Sequence, residues 1–395
     1  MNIDERIARR RQIETRPRLV LEYDQLSPVY HLIDPTGRGS LLEQLLDIYE
    51  PAFTGEQPEN LYLWGPKGSG KSAVVTALFS GFRRLRRQQT APIYTTTRVD
   101  SINPIDFVYV DSREATTQFS LYHTILDQLV ENEVPKHGIG TDTIYDQLAS
   151  WLQPTTAGAV IAIDHVDESK RRSVATLQSQ LSDFEESISY TLIGRRAPEM
   201  IGCEMEQLLT KQLDRYQTHA LIEILTTRLS NGLVRNALSH EQLRTVATWA
   251  TGDAHDALAA VFSAAVVAET EGSERILDEH LQTGMDSVPQ PCVALGQVLS
   301  VSESRRAVLR ELIALREDDR SSVGTATGAI SKRSIDLSPT TVERFLYELA
   351  EAGIIKRIQA ERESDIGRPP SKIEFQFPTI VFNKLTEYSN TDVKK

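Results

Sequence analysis

The stretch LYLWGPKGSGKS, residues 61–72, decides the fold class of this chain. An apolar run (61–64) is followed by the pattern GxxxxGK[ST] and then by a segment with Val74, Leu78 and Phe82 on one helical face. A strand, a glycine-rich loop and a helix in this order form a phosphate-binding loop, in which backbone N–H groups at a helix N-terminus surround phosphate oxygens. The residues predicted to bind the phosphates are Gly65, Pro66, Lys67, Gly68, Ser69, Gly70, Lys71 and Ser72.

Asp164 completes the predicted nucleotide site. It ends the apolar run 159–163, and a phosphate-binding loop needs an acid on a neighbouring strand to hold Mg²⁺. We therefore predict ATP or ADP as the bound cofactor, with Ser72 and Asp164 as the Mg²⁺ ligands. Cys203 and Cys292 stand in no metal-binding spacing, and no second histidine or cysteine lies at ligand spacing from His165 or His255, so no other metal is expected.

The apolar pattern changes along the chain and predicts separate folded parts. Short apolar runs at 107–110, 159–163 and 190–193 are separated by helix-length segments, which is typical of an α/β domain with a parallel sheet covered on both faces. From Tyr216 to Asp286 the strand signals vanish and the pattern is helical. A proline-containing stretch then reads as a linker before a last domain.

The last domain has the pattern of a winged helix-turn-helix. Ser338 and Pro339 are good first residues for a helix that Gly353 ends, and two strand-like runs joined by a basic loop follow. In such domains the second helix of the turn enters the major groove of DNA. The residues predicted to contact duplex DNA are Lys332, Arg333, Ser338, Thr340, Thr341, Arg344, Arg368 and Lys372. Protein binding stays open as the alternative, because Glu343, Glu348 and Glu351 lie on or near this helix.

Composition limits the classes of partner. The 395 residues carry a net charge of −12, which argues against a protein that coats nucleic acid indiscriminately, so DNA contacts should be local. No segment approaches the roughly 18 consecutive apolar residues of a membrane span. We expect a cytoplasmic, nucleoid-associated protein without a membrane partner.

Four stretches carry a resemblance to the archaeal origin-recognition and replication-initiator family of AAA+ ATPases. They are residues 41–75, VYVDSR (108–113), IDHVDE (163–168) and GDAHDALAAVFSAAVVAETEG (252–272). The resemblance covers roughly residues 20–385 and implies a AAA+ parallel-sheet domain, an all-helical lid and a C-terminal winged helix that binds origin DNA. It implies double-stranded DNA at an origin-like site as the partner, with self-association or a replicative helicase as further partners.

The domain boundaries expected on this basis cover the whole chain. They are a basic N-terminal arm (1–40), the AAA+ nucleotide-binding domain (41–215), the helical lid (216–286), a linker (287–298), the winged-helix DNA-binding domain (299–388) and a disordered tail (389–395).

The chain departs from this family at the positions that support catalysis. His165 stands where the family has a Walker B glutamate, Glu168 lies on the following loop, and His255 replaces the sensor-2 arginine. The sensor-1 position falls among Arg195, Arg196 and Ala197, without a clear asparagine. Phosphoryl transfer depends on positioning and electrostatics, so we expect nucleotide binding with slow hydrolysis at most, and no confident catalytic residue.

The sequence therefore predicts an ATP-binding, origin-recognition-like protein that acts on duplex DNA to initiate or regulate replication. The alternative is an ATP-gated transcription regulator with a P-loop switch domain. Such a regulator usually carries a sensor or repeat region, which this chain lacks.

Overall fold

The computed structural model describes residues 18–89, 105–153, 158–168, 173–202, 208–333, 335–359 and 371–392. These residues group into two compact units. One, here called the sheet unit, is His31–Glu223 with Thr251–Asp253. The other, here called the helical unit, comprises the described residues up to Tyr30, Ile224–Ala250 and the described residues from Ala254 onwards.

The sheet unit contains a five-stranded parallel sheet among the described residues, in the order β2-β3-β4-β1-β5. The strand β3 is buried at every position, as a central strand covered on both faces must be. The strands are β1 (Leu61–Trp64), β2 (Ile105–Asp111), β3 (Gly158–Asp164), β4 (Ile188–Gly194) and β5 (Leu209–Gln212). The predicted parallel sheet is confirmed, and β5 is an additional edge strand that the sequence analysis missed.

Helices cover both faces of this sheet and enclose two apolar cores. One core is formed with α2 (Gly39–Tyr49) and α3 (Lys71–Gln89), and the other with α4, α5 and α6. These last three are α4 (Gln118–Leu129), α5 (Thr141–Trp151) and α6 (Val174–Leu181). Because the sheet is parallel, the carboxyl ends of its strands meet at one edge, and the loop after β1 lies there with the ends of β3 and β4.

The helical unit includes a bundle whose centre is an alanine-rich helix. The helix α9 is buried over most of its length, and α10 lies against it so closely that a Cβ on Gly284 would meet the carbonyl oxygen of Ala260 at 2.3 Å. The bundle helices are α1 (Tyr23–Leu26), α7 (Thr218–Gly232) from Ile224 onwards, α8 (His240–Trp249), α9 (Ala254–Thr270) and α10 (Asp278–Asp286).

The winged-helix arrangement in the same unit consists of three helices, α12 to α14, and a two-stranded antiparallel hairpin, and it is preceded by the short helix α11 and followed by α15. Ser338 caps α14 and Pro339 is its first residue, as the sequence predicts. The elements are α11 (Leu295–Leu299), α12 (Glu303–Ile313), α13 (Val323–Ile330), α14 (Pro339–Glu351), β6 (Ile355–Gln359), β7 (Ser371–Phe375) and α15 (Thr379–Asp392).

The domain boundaries given above stay predictions. Residues 18–30, assigned from the sequence to a basic arm, pack within the helical unit, where Val20 pairs with Leu233. The helix α15 continues to Asp392, beyond the start of the predicted tail. Within the described part of the chain, every helix is too short or too polar to cross a membrane.

Candidate nucleotide site and candidate DNA interface

The loop between β1 and α3 requires glycine at two of its positions. Gly65 and Gly70 have φ angles of 150° and 89°. A Cβ on Gly65 would lie 2.2 Å from the carbonyl oxygen of Leu213, and one on Gly70 would lie 2.1 Å from the Tyr216 hydroxyl. The backbone of this loop is therefore held in a shape that a larger residue would disrupt.

Lys71 points into this loop from the first turn of α3. Its Nζ donates to the carbonyl oxygens of Gly65 (2.7 Å) and Pro66 (2.9 Å), and to Ser69 Oγ (3.3 Å). Burial lowers the pKa of Lys71 to about 8, and the carboxylates of Asp164, Asp167 and Glu168 oppose that shift. The loop thus holds a buried ammonium group whose donors now satisfy protein carbonyls.

Asp164 and Ser72 meet beside Lys71 and provide hard oxygen donors. Asp164 is buried at the end of β3, where it accepts hydrogen bonds from the Tyr109 hydroxyl (2.6 Å) and the His165 backbone N–H (2.7 Å). Burial raises its pKa, but the charge of His165 and the hydrogen bonds from Ser72 and Tyr109 outweigh burial and lower the pKa below its usual range. A carboxylate that stays ionised next to a hydroxyl fits Mg²⁺, which prefers oxygen ligands.

Glu168 lies in the same cluster although four positions separate it from Asp164. The backbone of His165 adopts a left-handed conformation (φ 61°), and the loop after it turns back toward β3. Glu168 Oε1 accepts hydrogen bonds from His165 Nδ1 (2.8 Å) and from the Arg195 guanidinium (2.7 Å). Burial opposes ionisation of Glu168, but these two partners outweigh it and lower its pKa. Glu168 is therefore a weak base, and its Oε1 already accepts two hydrogen bonds.

Arg195, just after β4, is fixed by both neighbouring acids. Asp167 Oδ2 accepts the backbone N–H groups of Arg195 (2.7 Å) and Arg196 (2.6 Å), while Glu168 holds the Arg195 side chain. The positive charge of Arg195 helps to lower the pKa of Lys71. At the sensor-1 position, where the sequence offers no clear asparagine, the structure therefore has an arginine at the edge of the site.

His255 lies in the helical unit. Its Nε2 accepts the backbone N–H of Leu295 (2.8 Å), so Nδ1 carries the proton and donates to Asp256 Oδ1 (3.0 Å). This tautomer is neutral and lacks the positive charge of an arginine. The structure also brings Cys292 near: ligand atoms of His255, Asp256 and Cys292 lie within 4.8 Å of one another, a proximity that spacing did not predict. Because both ring nitrogens are engaged, the residue links α9 to α11.

Most of the described residues predicted to contact DNA are exposed, and several also contact other residues of the domain. Lys332, Arg333, Ser338, Thr340 and Arg344 are exposed, and Thr341 and Lys372 are half-buried. Ser338 Oγ accepts the Thr341 backbone N–H (3.2 Å), so these two residues form the cap of α14, and their contact with DNA stays a prediction.

Two predicted basic contacts are also engaged within the domain. Arg333 donates to Glu311 (3.0 Å) and to the carbonyl of Ala314 (3.1 Å), and Lys372 lies on β7 in contact with Glu317. The sequence did not reveal these acids, because distant elements supply them, and the role of both basic residues in DNA binding stays a prediction. Arg368 lies outside the described residues.

Two known domain families match successive parts of the chain. An AAA ATPase domain model matches residues 34–193, and a Cdc6 AAA+ ATPase-type lid domain model matches residues 222–286. The ORC1-type DNA replication protein of Pyrococcus furiosus is 23% identical over 362 residues, which cover 84% of this chain and 81% of that protein. ORC1-type DNA replication protein 14 of Haloarcula marismortui is 23% identical over 358 residues, covering 83% and 80%. The chain is an ORC/Cdc6-like AAA+ protein.

Solved structures share the fold of this ORC/Cdc6-like protein. The Aeropyrum pernix ORC1 protein in complex with DNA has a TM-score of 0.61 at 21% identity, covering 97% of this chain and all of that one. The Aeropyrum pernix ORC2 protein in ADPNP-ADP complexes has a TM-score of 0.56 at 15% identity, covering 94% and 100%. The fold class predicted from the sequence is confirmed.

The exposed face of α14 in this ORC/Cdc6-like protein includes two residues that the sequence analysis did not assign to DNA. Glu343 and Tyr347 are exposed together with Thr340 and Arg344. Their spacing of three, four and seven residues from Thr340 places all four on one helical face. The Arg357 guanidinium of β6 lies 5.0 Å from the centre of the Tyr347 ring, at the end of this face. The helical spacing was the signal that could have identified them.

Proposed function

We propose that this protein binds ATP or ADP with Mg²⁺ in the loop after β1 and binds duplex DNA at an origin-like site through α14, to initiate or regulate DNA replication. The observation that carries the proposal is the presence in one chain of a glycine-constrained phosphate loop and a winged helix in which one face of α14 is exposed. The ORC1-type relatives support the link to replication. Self-association or a replicative helicase as further partners, and a cytoplasmic location, stay predictions.

The backbone and the side chains of the loop have complementary roles in nucleotide binding. Backbone N–H groups at the start of α3 bind phosphate oxygens, and Lys71 exchanges its carbonyl acceptors for phosphate. Ser72 and Asp164 hold Mg²⁺, which neutralises charge on the phosphates when bound. Likeness to the Aeropyrum pernix ORC2 protein, whose structure is of ADPNP-ADP complexes, supports this assignment.

Hydrolysis is expected to be slow. Glu168, in the loop after Asp164, is held by His165 and Arg195 and has a lowered pKa, so it is poorly suited to activate water. We expect steady-state phosphate release below about 10⁻² s⁻¹ for the wild type, against the roughly 1–100 s⁻¹ of efficient phosphoryl-transfer enzymes. A phosphate-release assay measures this, with Lys71→Ala as the background. Turnover near 1 s⁻¹ that the substitution abolishes would show that the site is catalytically complete.

DNA binding is expected to depend on the exposed side chains of α14. Arg344→Ala should weaken duplex binding roughly tenfold and reduce the dependence of log Kd on log salt by about one unit, if its guanidinium contacts a phosphate. If the guanidinium contacts a base edge, the affinity falls but the salt dependence does not change. Fluorescence anisotropy with a labelled duplex, measured over a series of salt concentrations, distinguishes a phosphate contact from a base contact.

Arg333→Ala is the matched control for that experiment. It removes the same charge from the same domain, but its guanidinium is held by Glu311 and the Ala314 carbonyl. We therefore expect a smaller loss of DNA affinity than for Arg344→Ala. Equal losses for both variants, or none for either, would contradict the placement of the interface on α14.

A further inference from the structure

The exposed face of α14 carries a carboxylate that the fold itself does not use. Glu343 is exposed, and among the described residues no hydrogen bond or ion pair reaches its side chain. Glu348, one and a half turns further along the same helix, is by contrast paired with Arg305 and lies 3.7 Å from Arg344. The two glutamates of one helix therefore differ in whether their charge is compensated.

Ordinary helix electrostatics does not account for Glu343. The first turn of α14 contains no acidic residue, so Glu343 lies beyond the range in which an acid stabilises the helix dipole. The residues three and four positions away are Thr340, Pro339, Leu346 and Tyr347, none of which can form an ion pair with it. On a surface that meets phosphates, an uncompensated carboxylate also lowers the affinity for DNA of any sequence.

A carboxylate on a groove-facing helix has one chemically suitable base. Cytosine presents its N4 amino group as a donor in the major groove, and Glu accepts from it. Guanine and thymine present acceptors there, which repel the carboxylate, and adenine places the N7 acceptor beside its amino group. A glutamate in this position therefore selects by attraction to one base and repulsion from the others.

We propose, on the basis of the function proposed above, that Glu343 reads a cytosine in the major groove of the DNA site. Arg344, the next residue, is exposed on the same face, and its guanidinium matches the O6 and N7 acceptors of guanine. The segment of the site under the middle of α14 is thus rich in G·C pairs. Glu343 contributes specificity and not affinity.

The test is selection of bound duplexes from a randomised pool by the full chain, followed by sequencing, for the wild type, Glu343→Gln and Glu351→Gln. The two variants remove the same charge from the same helix, but Glu351 ends the helix, away from its N-terminal half. For the wild type we expect one position at which cytosine is favoured roughly tenfold over the other bases, the scale of a single base-edge contact. In Glu343→Gln that preference should fall to about twofold or less while the rest of the motif is kept.

Each outcome bears on the inference in a different way. Glu351→Gln should select the wild-type motif, including the cytosine preference. An unchanged cytosine preference in Glu343→Gln would overturn the role of Glu343 while leaving DNA binding in place. A wild type that retains no duplex overturns the proposed function and this inference together.

Discussion

A Lys71→Ala variant is expected to bind Mg-ATP about 100-fold more weakly than the wild type, because two charge-assisted contacts with phosphate are lost at about 1.5 kcal/mol each. Lys71 Nζ donates to the carbonyls of Gly65 and Pro66, so its ammonium group lies within the loop proposed to bind phosphate. Isothermal titration calorimetry of the full chain measures the loss.

Lys67→Ala is the matched control for this variant. Lys67 belongs to the same loop, and its substitution removes the same charge. Its ammonium group lies 3.1 Å from the carboxylate of Asp253. We expect its effect on Mg-ATP affinity to be less than about tenfold, since part of its charge is already compensated. Equal losses in both variants would mean that the overall charge of the loop, and not the position of Lys71, determines binding.

The wild type offers an independent check through pH. Burial lowers the pKa of Lys71 to about 8 in the protein without nucleotide, and bound phosphates must raise it. Below pH 8 the lysine is charged before binding; above it, binding requires uptake of a proton, so the affinity falls as the pH rises. From pH 7 to pH 9 the loss should be roughly tenfold, accompanied by proton uptake measurable in buffers of different ionisation enthalpy. Lys71→Ala should lack this dependence.

An Arg228→Ala variant is expected to lose about 3–4 kcal/mol of unfolding free energy in the helical unit. The buried guanidinium of Arg228 on α7 donates to four backbone carbonyls of the N-terminal segment, at distances from 2.5 to 3.3 Å. They belong to Asp24, Gln25, Ser27 and Tyr30. Removing the donor leaves these carbonyls without their partner, and a buried network of this kind is among the few sources of such large effects.

Two further variants identify the cause of that loss. Arg228→Lys keeps the charge but has a single nitrogen, which cannot reach the same set of carbonyls, so we expect an intermediate loss. Arg244→Ala, on the exposed side of α8, should change stability by less than about 0.5 kcal/mol. Urea unfolding followed by circular dichroism measures all three. An Arg228→Ala variant within about 1 kcal/mol of the wild type would contradict this role.

Local patterns in the sequence predicted the elements that local forces determine. β1 has the predicted bounds because four apolar residues are followed directly by the glycine loop, and α14 begins where Ser338 supplies a cap and Pro339 a pre-formed backbone angle. β5 was missed because three of the four residues of its sequence, LTKQ, are polar and the strand is only four residues long. It is held as an edge strand by backbone hydrogen bonds to β1, which apolar patterning does not report.

The parts of the site that the sequence did not predict depend on contacts between distant residues. The neutral state of His255 follows from the backbone N–H of Leu295, 40 residues away, and Lys372 is engaged by Glu317 from 55 residues away. Glu168 contacts His165 and Arg195 across a turn in which His165 adopts a left-handed conformation, which is uncommon for residues other than glycine. A residue type at a motif position indicates its chemistry, but the partner that sets its charge comes from the fold.

The proposed function requires this protein to bind DNA where replication begins. The most direct test is a genome-wide map of the tagged protein in its own cells, beside a map of replication start sites, for the wild type, Lys71→Ala and Arg344→Ala. We expect one or a few peaks that coincide with replication starts and that Arg344→Ala weakens or abolishes. Peaks distributed over promoters would instead identify an ATP-gated transcription regulator, and peaks that Arg344→Ala leaves unchanged would contradict DNA recognition through α14.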